Sequence, residues 1–164
     1  MPLRFDVEGP VRAEVFVVTL IEGAIALTGP DGPRAWHIET HGEGHPMEEA
    51  GETLRGVLED LTLFHSTSWR WDDGSVVLTF LAVIPDRGTM DFVLTDRADL
   101  ARSGTARAPT VIGTNQVLEH ALRHLSWLAK EDEVVADALD EAWRRALASY
   151  VPAPFEQLQR GDWQ

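Results

Sequence analysis

Runs of β-branched and aromatic residues, separated by turn residues, dominate the first 95 positions of the chain. Such runs predict β-strands when Gly, Pro, Asn or Asp bounds them. The predicted strands cover residues 13–21, 24–28, 35–38, 68–71, 75–84 and 90–94. Glu22-Gly23 separates the first pair of strands, and Asp72-Asp73-Gly74 separates the fourth from the fifth. We predict a β-hairpin at each place, the first from the strand-like runs that flank Glu22-Gly23 and the second because Asp-Gly between two such runs favours a tight turn.

A first helix is predicted over residues 46–61, with Pro46 at the position where a missing N–H costs nothing. Its apolar stripe has the i, i+3, i+4, i+7 spacing and consists of Leu54, Val57, Leu58 and Leu61. Gly51 and Gly56 fall off this stripe, and each glycine costs the helix about 1 kcal/mol relative to alanine. Each is therefore either a weak point or a place of close backbone approach.

The last third of the chain changes to helical periodicity. Thr114 or Asn115 can cap a helix whose apolar face is Leu118, Ala121, Leu122, Leu125 and Leu128. A second helix is predicted over residues 134–149, and residues 96–109 are predicted as a long loop. Phe155 and Trp163 of the tail are expected to dock on the body.

This order of elements predicts a single α+β domain over residues 1–164, with a mixed sheet and packed helices. Residues 1–95 supply the sheet and the first helix, and residues 110–164 supply the C-terminal helices of the same core.

Charge and composition restrict the classes of molecule that this chain is expected to bind. The chain of 164 residues has 27 acidic and 14 basic residues, for a formal net charge of -13, and it has no cysteine. A phosphate backbone or an anionic membrane would be repelled, so neither nucleic acid nor membrane is an expected partner. The longest apolar run, residues 15–21, is too short to span a bilayer, and we predict a cytoplasmic protein. A small ligand stays open, since a few arginines or a bound cation can reverse the local charge.

One segment suggests chemistry. The residues that carry a known pattern are Trp36, Ile38, Arg55, Val57, Glu59, Asp60 and Leu63. Together they resemble the motif of the Nudix hydrolases, in which a tryptophan and an apolar residue lead into a glycine-rich turn and a helix with Arg-Glu and Glu-Glu. This resemblance implies a Nudix-like fold and, in the family, Mg²⁺-dependent hydrolysis of nucleoside diphosphates linked to another group.

The departures from that motif remove part of its chemistry. His41, Met47, Gly56 and Thr62 stand at positions that the motif gives to glycine, glutamate, glutamate and glycine. The glutamate replaced by Gly56 helps to hold the metals in the family, and Mg²⁺ needs several oxygen ligands in octahedral geometry. We therefore expect a small-ligand-binding or regulatory domain without standard pyrophosphohydrolase activity. Its expected ligand-binding residues are Trp36, Arg55, Trp69 and Trp71.

An enzyme stays as the alternative, with Mg²⁺ as its cofactor. Glu59 and Asp60 would hold the metal together with Glu48, and Glu52 would join Glu59 and Asp60 as a catalytic carboxylate in place of the lost one. Otherwise Glu59 and Asp60 are a solvated helix end, and Arg55 forms a surface ion pair with Glu52 or Glu59.

Histidines offer a further metal hypothesis. His41, His45 and His65 could supply imidazole ligands to Zn²⁺ or Mn²⁺, although their spacing is not diagnostic. His120 and His124 lie one helical turn apart and are expected on the polar flank of their helix.

The sequence Trp69-Arg70-Trp71 places both indoles on one face of a strand and Arg70 on the other. Core packing is the expected role of the two tryptophans. The alternatives are a stacking surface for a planar ligand and half of a homodimer interface, for which the helix over residues 115–128 is a second candidate.

Overall fold

The computed structural model describes residues 10–40, 44–86, 88, 90–99 and 112–152. In these ranges six strands and four helices follow one another along the chain. They are β1 (Val11–Ile21), β2 (Ala24–Thr28), β3 (Trp36–Glu39), α1 (Pro46–Val57), β4 (Leu63–Asp72), β5 (Ser75–Val83), β6 (Val93–Leu94), α2 (Thr114–Glu131), α3 (Glu133–Ala138) and α4 (Glu141–Leu147). The predicted α+β fold with a mixed sheet is confirmed.

Strand β1 lies at the centre of the sheet, whose order is β4-β5-β1-β2-β6. It pairs in parallel with β5 along one edge. Along the other edge its first half pairs antiparallel with β3 and its second half with β2. The chain crosses from β3 to the far side of β5 through α1, so this helix lies between the two hairpin regions of the sequence.

Both faces of β1 are buried. Ala13, Val15 and Val17 point to the face that α1 covers with Ala50 and Leu54. The opposite face of the sheet packs against α2, α3 and α4, and the residues that β1 contributes there are Phe16 and Val18. Because side chains alternate along a strand, one apolar run supplies both cores, and the molecule has three layers.

The two predicted hairpins are present. Their turns place consecutive residues at positive φ, Glu22 and Gly23 at 50° and 81°, and Asp73 and Gly74 at 46° and 75°. Two positive φ values define the type I′ turn, whose twist matches that of the flanking strands.

Helix α1 is shorter than predicted. It ends at Val57 rather than at residue 61, and Leu58 already has extended backbone. Val57 is 53% exposed, whereas Gly51, expected off the apolar stripe, is buried with Leu54. Leu58 is buried in the core although it follows the last residue of the helix. Because it keeps helical spacing from Leu54, the sequence pattern predicts another helical turn that is absent.

The C-terminal helices also differ from the prediction. The expected helix over residues 134–149 is two helices, α3 and α4, because the Asp140 side chain accepts from the Trp143 N–H and caps a new helix. Helix α2 begins one residue after Gly113, whose N–H donates to the Gln116 side chain. Most of the predicted loop and the tail with Phe155 and Trp163 lie outside the described residues. Within the described ranges, none of the helices is long and apolar enough to cross a bilayer.

The two glycines of α1 have opposite surroundings. A Cβ on Gly56 would have no atom within 4 Å, whereas one on Gly51 would lie 3.2 Å from Arg55 Nη1 and 3.4 Å from Phe64 Cε1. We predict that Gly56→Ala raises the free energy of unfolding by about 0.5–1 kcal/mol, because alanine has the higher helix propensity. Gly51→Ala should gain less, since the Arg55 guanidinium must shift. Urea denaturation of both variants tests this, and equal gains would contradict it.

Candidate functional site

The carboxylates predicted to hold a metal lie at opposite ends of α1. Glu48 is in the first turn, and Glu59 and Asp60 follow the last residue, Val57. A rise of 1.5 Å per residue puts Glu48 about 14 Å from the helix end along its axis, too far to share a cation with that pair. Glu52 is exposed between them. Within the described residues, no group of three or more His, Asp or Glu side chains is placed to hold a metal ion.

The predicted ligand-binding residues do not converge either. Trp36 is on β3 and packs against the core beneath α1, and Arg55 is exposed on α1 with its guanidinium over Gly51. Trp69 and Trp71 are on β4, which is separated from β3 by β5 and β1. Three strand spacings amount to roughly 14 Å. One small ligand would not contact both Trp36 and the β4 pair.

The expectation that Trp69 and Trp71 pack in the core is wrong. Their side chains are on the α1 face of β4, opposite Leu78 and Val76 of β5, and the residues are 69% and 58% exposed. Strand β4 is the terminal strand of the sheet, and α1 packs further in, on β1. The two indoles are therefore uncovered because of their position at the edge.

Arg70, on the opposite face of β4, belongs to a buried polar cluster that joins three strands. It forms a bidentate ion pair with Glu14 of β1, in which Nη1 lies 2.7 Å from Oε2 and Nη2 lies 3.1 Å from Oε1. Thr79 of β5 donates to the same carboxylate at 3.2 Å. Glu14 is 3% exposed. Hydrogen bonding to Glu14 raises the pKa of Arg70 above its ordinary value, against the lowering effect of burial.

A cavity of about 240 Å³ opens outside this cluster. It lies where the start of β1, the end of β3 and the β4–β5 turn meet, and its walls are Pro10, Val11, Arg12, Glu39, Thr40, Asp73 and Ser75. Arg12 donates from Nη2 to the Asp72 carbonyl at 3.3 Å and lies 3.6 Å from the Asp72 carboxylate. Its Nε is buried and has no hydrogen-bond partner among the described residues.

None of the residues predicted for the site lines this cavity. Arg12, Glu39 and Asp73 come from three separate elements, and no local motif links them. The sequence offers one signal for this region, namely the polar residues Arg12 and Glu14 inside the otherwise apolar run of β1.

A second buried carboxylate, Glu119 of α2, is held by Arg97 and Arg123 at 2.8 and 2.9 Å. Burial raises the pKa of Glu119, but hydrogen bonds and charges from the two arginines outweigh burial and leave the pKa below its ordinary value. Arg97 also lies 4.1 Å above the Tyr150 ring and donates to Ser149. These contacts tie α2 to the segments before it and after α4.

Histidines from two elements meet at the other end of β4. The His65 ring stacks on His124 of α2 at a centroid distance of 5.6 Å, and Trp127 lies 5.7 Å from His124. Burial, followed by the nearby charges of His65 and His120, lowers the pKa of His124. His65 is thus a packing partner of α2. His41, part of the predicted histidine site, lies outside the described residues.

Comparison with protein-family models gives no match for this chain, and comparison with curated protein sequences gives none either.

The ion pair between Glu14 and Arg70 makes a stability prediction. Arg70→Leu should lower the free energy of unfolding by about 3–5 kcal/mol, because it leaves a buried carboxylate without a counter-ion. The double variant Glu14→Leu/Arg70→Leu should lose less than Arg70→Leu alone. Arg12→Gln, which breaks only the exposed pair with Asp72, is the control and should lose about 1 kcal/mol or less. Denaturant titrations measure these losses, and a double variant that loses as much as Arg70→Leu alone, or more, would contradict the coupling.

The histidine stack makes a pH prediction. The unfolded chain holds His124 at its ordinary pKa of about 6.5, and the folded chain holds it lower. Protons therefore bind the unfolded state more readily, so that stability, full above this value, falls as pH drops through 6.5 towards the folded pKa. His124→Phe should flatten the melting temperature between pH 7 and 5. His37→Gln, an exposed control, should leave the profile unchanged, and a wild-type profile in both variants would refute the assignment.

Proposed function

We propose that this chain is a small-ligand-binding domain, built on a divergent Nudix-like architecture and without standard pyrophosphohydrolase activity. The observation that carries the proposal is the cavity at the start of β1, whose walls combine the guanidinium-bearing Arg12 with the acidic residues Glu39 and Asp73. The Arg12 side chain is 36% exposed, so it can donate hydrogen bonds to a ligand that accepts them.

Two features of the architecture support the Nudix-like part of the proposal. Trp36 begins the strand that leads towards α1, as the motif requires, and residues 77–83 of the predicted core strand lie in β5 beside β1. The position at which the motif has its metal-binding glutamate is Gly56, which is exposed. These features favour a Nudix-like origin with altered chemistry.

The walls of the cavity suggest the ligand class. A volume of about 240 Å³ corresponds to roughly eight water molecules at liquid density. Arg12 offers hydrogen-bond donors, whereas Glu39 and Asp73 offer acceptors and repel a simple anion. The complementary molecule carries both an acceptor and several donors. Amino acids and small polyols have this combination.

The test is a thermal-shift and calorimetric screen of amino acids and polyols against the wild-type chain. We expect at least one compound to raise the melting temperature in a saturable manner. Arg12→Gln should weaken its affinity about tenfold or more, because a hydrogen bond to a charged group contributes about 1.5–3 kcal/mol. Arg145→Gln, an exposed arginine away from the cavity, is the matched control. The proposal is wrong if no compound raises the melting temperature, or if the compound binds Arg12→Gln as tightly as the wild-type chain.

The hydrolase alternative is tested with the same proteins. Mg²⁺ and a panel of nucleoside diphosphate derivatives are added, and release of phosphate or nucleotide is measured. Turnover that disappears in Glu59→Gln/Asp60→Asn would replace the binding proposal with an enzyme. Turnover that survives this double variant would come from other residues.

A homodimer is the third function that the sequence leaves open. It needs an uncovered apolar surface, and the exposed tryptophans of β4 favour that strand. The other candidate, α2, has already buried its apolar face, with Leu118, Leu122 and Leu125 at 5%, 1% and 1% exposure.

A further inference from the structure

We infer that two copies of this chain associate through β4, whose second half pairs antiparallel with the same segment of the other copy around Arg70. This inference is independent of the ligand-binding proposal, since it uses the opposite edge of β4 from the one that pairs with β5. Its four supports are the terminal position of the strand, its symmetric sequence, the paired charge of Arg70 and the exposure of the two indoles.

Strand β4 ends the sheet, so within the described residues one row of its backbone groups has no strand beside it. The strand is irregular between Ser66 and Ser68, where its register with β5 shifts. Such bulges interrupt the pairing of an edge. From Ser68 to Asp72 the register is regular, which leaves a five-residue segment suited to strand addition.

The sequence of this segment is Ser-Trp-Arg-Trp-Asp, which reads nearly the same in both directions. A twofold interface requires that residue i contact residue j while j contacts i. Antiparallel pairing centred on Arg70 satisfies this rule, because Trp69 of each copy then lies opposite Trp71 of the other. Opposed residues share a face of the sheet, so all four indoles form one apolar strip.

Arg70 would lie beside its own counterpart at the twofold axis. Like charges directly opposite one another are normally unfavourable. Here each guanidinium is held by Glu14 of its own chain at 2.7 Å, on the face away from the tryptophans. The pair is close to neutral, so it does not oppose association.

The exposed indoles provide an interface of modest size. At 69% and 58% exposure, and with about 250 Å² for a whole tryptophan, they present roughly 300 Å² per copy. Indoles side by side on one open face cover only their flanks, so two copies would bury less than about 600 Å² of indole surface, and the paired strands would add to it. Stable interfaces bury about 1,200–2,000 Å². The expected dimer therefore dissociates on dilution.

Charge gives the dimer a recognisable salt dependence. Each copy has a formal net charge of -13, so two copies repel each other at long range. Salt screens this repulsion and leaves the apolar contact intact. The dimer fraction should therefore rise with sodium chloride, whereas an association driven by opposite charges would fall.

The first experiment is sedimentation velocity and light scattering of the full chain over a hundredfold concentration range at low and high salt. We expect a mass that doubles with concentration, and more so at high salt. Trp69→Thr/Trp71→Thr retains β-propensity and should remain monomeric throughout. Phe92→Thr is the matched control, since Phe92 is 47% exposed beside the other edge strand, β6. Circular dichroism verifies that both variants fold.

The second experiment tests the register and leaves both tryptophans in place. The chain has no cysteine, so Ser68→Cys and Asp72→Cys each introduce a single thiol. Opposed residues of antiparallel strands have Cα atoms about 4.5–5.5 Å apart, within the range for a disulfide. Mixing the two variants under mild oxidation should give a cross-linked dimer. Either variant alone should give little, because its thiols would be about 13 Å apart.

Three results would overturn the inference. The first is a monomeric mass at every concentration and salt. The second is a dimer that survives Trp69→Thr/Trp71→Thr but is lost in Phe92→Thr, which would assign the contact to β6. The third is a monomer whose tryptophan fluorescence is quenched saturably by a planar aromatic compound only when both indoles are present.

Discussion

A strand that is buried on both faces has no place for an unpaired charge, and the central strand β1 nevertheless carries Glu14. The structure resolves this conflict with one guanidinium, that of Arg70, and one hydroxyl, that of Thr79. Because the three residues come from β1, β4 and β5, the neutralisation of one carboxylate requires these strands to lie side by side in a single register. The relative positions of β1, β4 and β5 around Glu14 follow from that requirement.

The same constraint determines what the edge of the molecule presents to solvent. Once Arg70 points towards Glu14, its neighbours Trp69 and Trp71 must point to the opposite face. Helix α1 packs on the inner strands there and leaves the indoles exposed. The register also brings the β4–β5 turn next to the start of β1, where Asp73 and Arg12 become walls of one cavity. The cavity and the aromatic edge thus depend on one strand register, which the ion pair stabilises.

Local features of the fold were predictable from the sequence, and distant ones were not. The two-residue turns and the strands beside them depend on nearby residues, so the hairpins were identified correctly. The predicted end of α1 is too late, because Leu58 and Leu61 keep helical spacing but pack in the core from residues that follow the helix. The break at Asp140 was missed because a capping aspartate looks like any surface acid until the helix before it ends.

The candidate site was beyond sequence reasoning for a related reason. Arg12 and Asp73 are about sixty residues apart, and only the parallel pairing of β1 with β5 brings them together. Likewise, tryptophans are usually buried, and Trp69 departs from that rule only because β4 is the last strand. The metal hypothesis assumed that a motif's acids stay on one helix. Here the helix stops before Glu59 and Asp60.

The pairing of β1 with β5 also has a kinetic consequence. Each hairpin closes through a two-residue turn, whereas the parallel ladder joins residues about 65 positions apart, such as Val15 and Phe80. Local contacts form within microseconds, but closing a long loop costs entropy before any contact rewards it. We therefore expect the rate-limiting step of folding to be the meeting of two preformed hairpins. Until that step is complete, the apolar residues of β1 would lack their packing partners on β5.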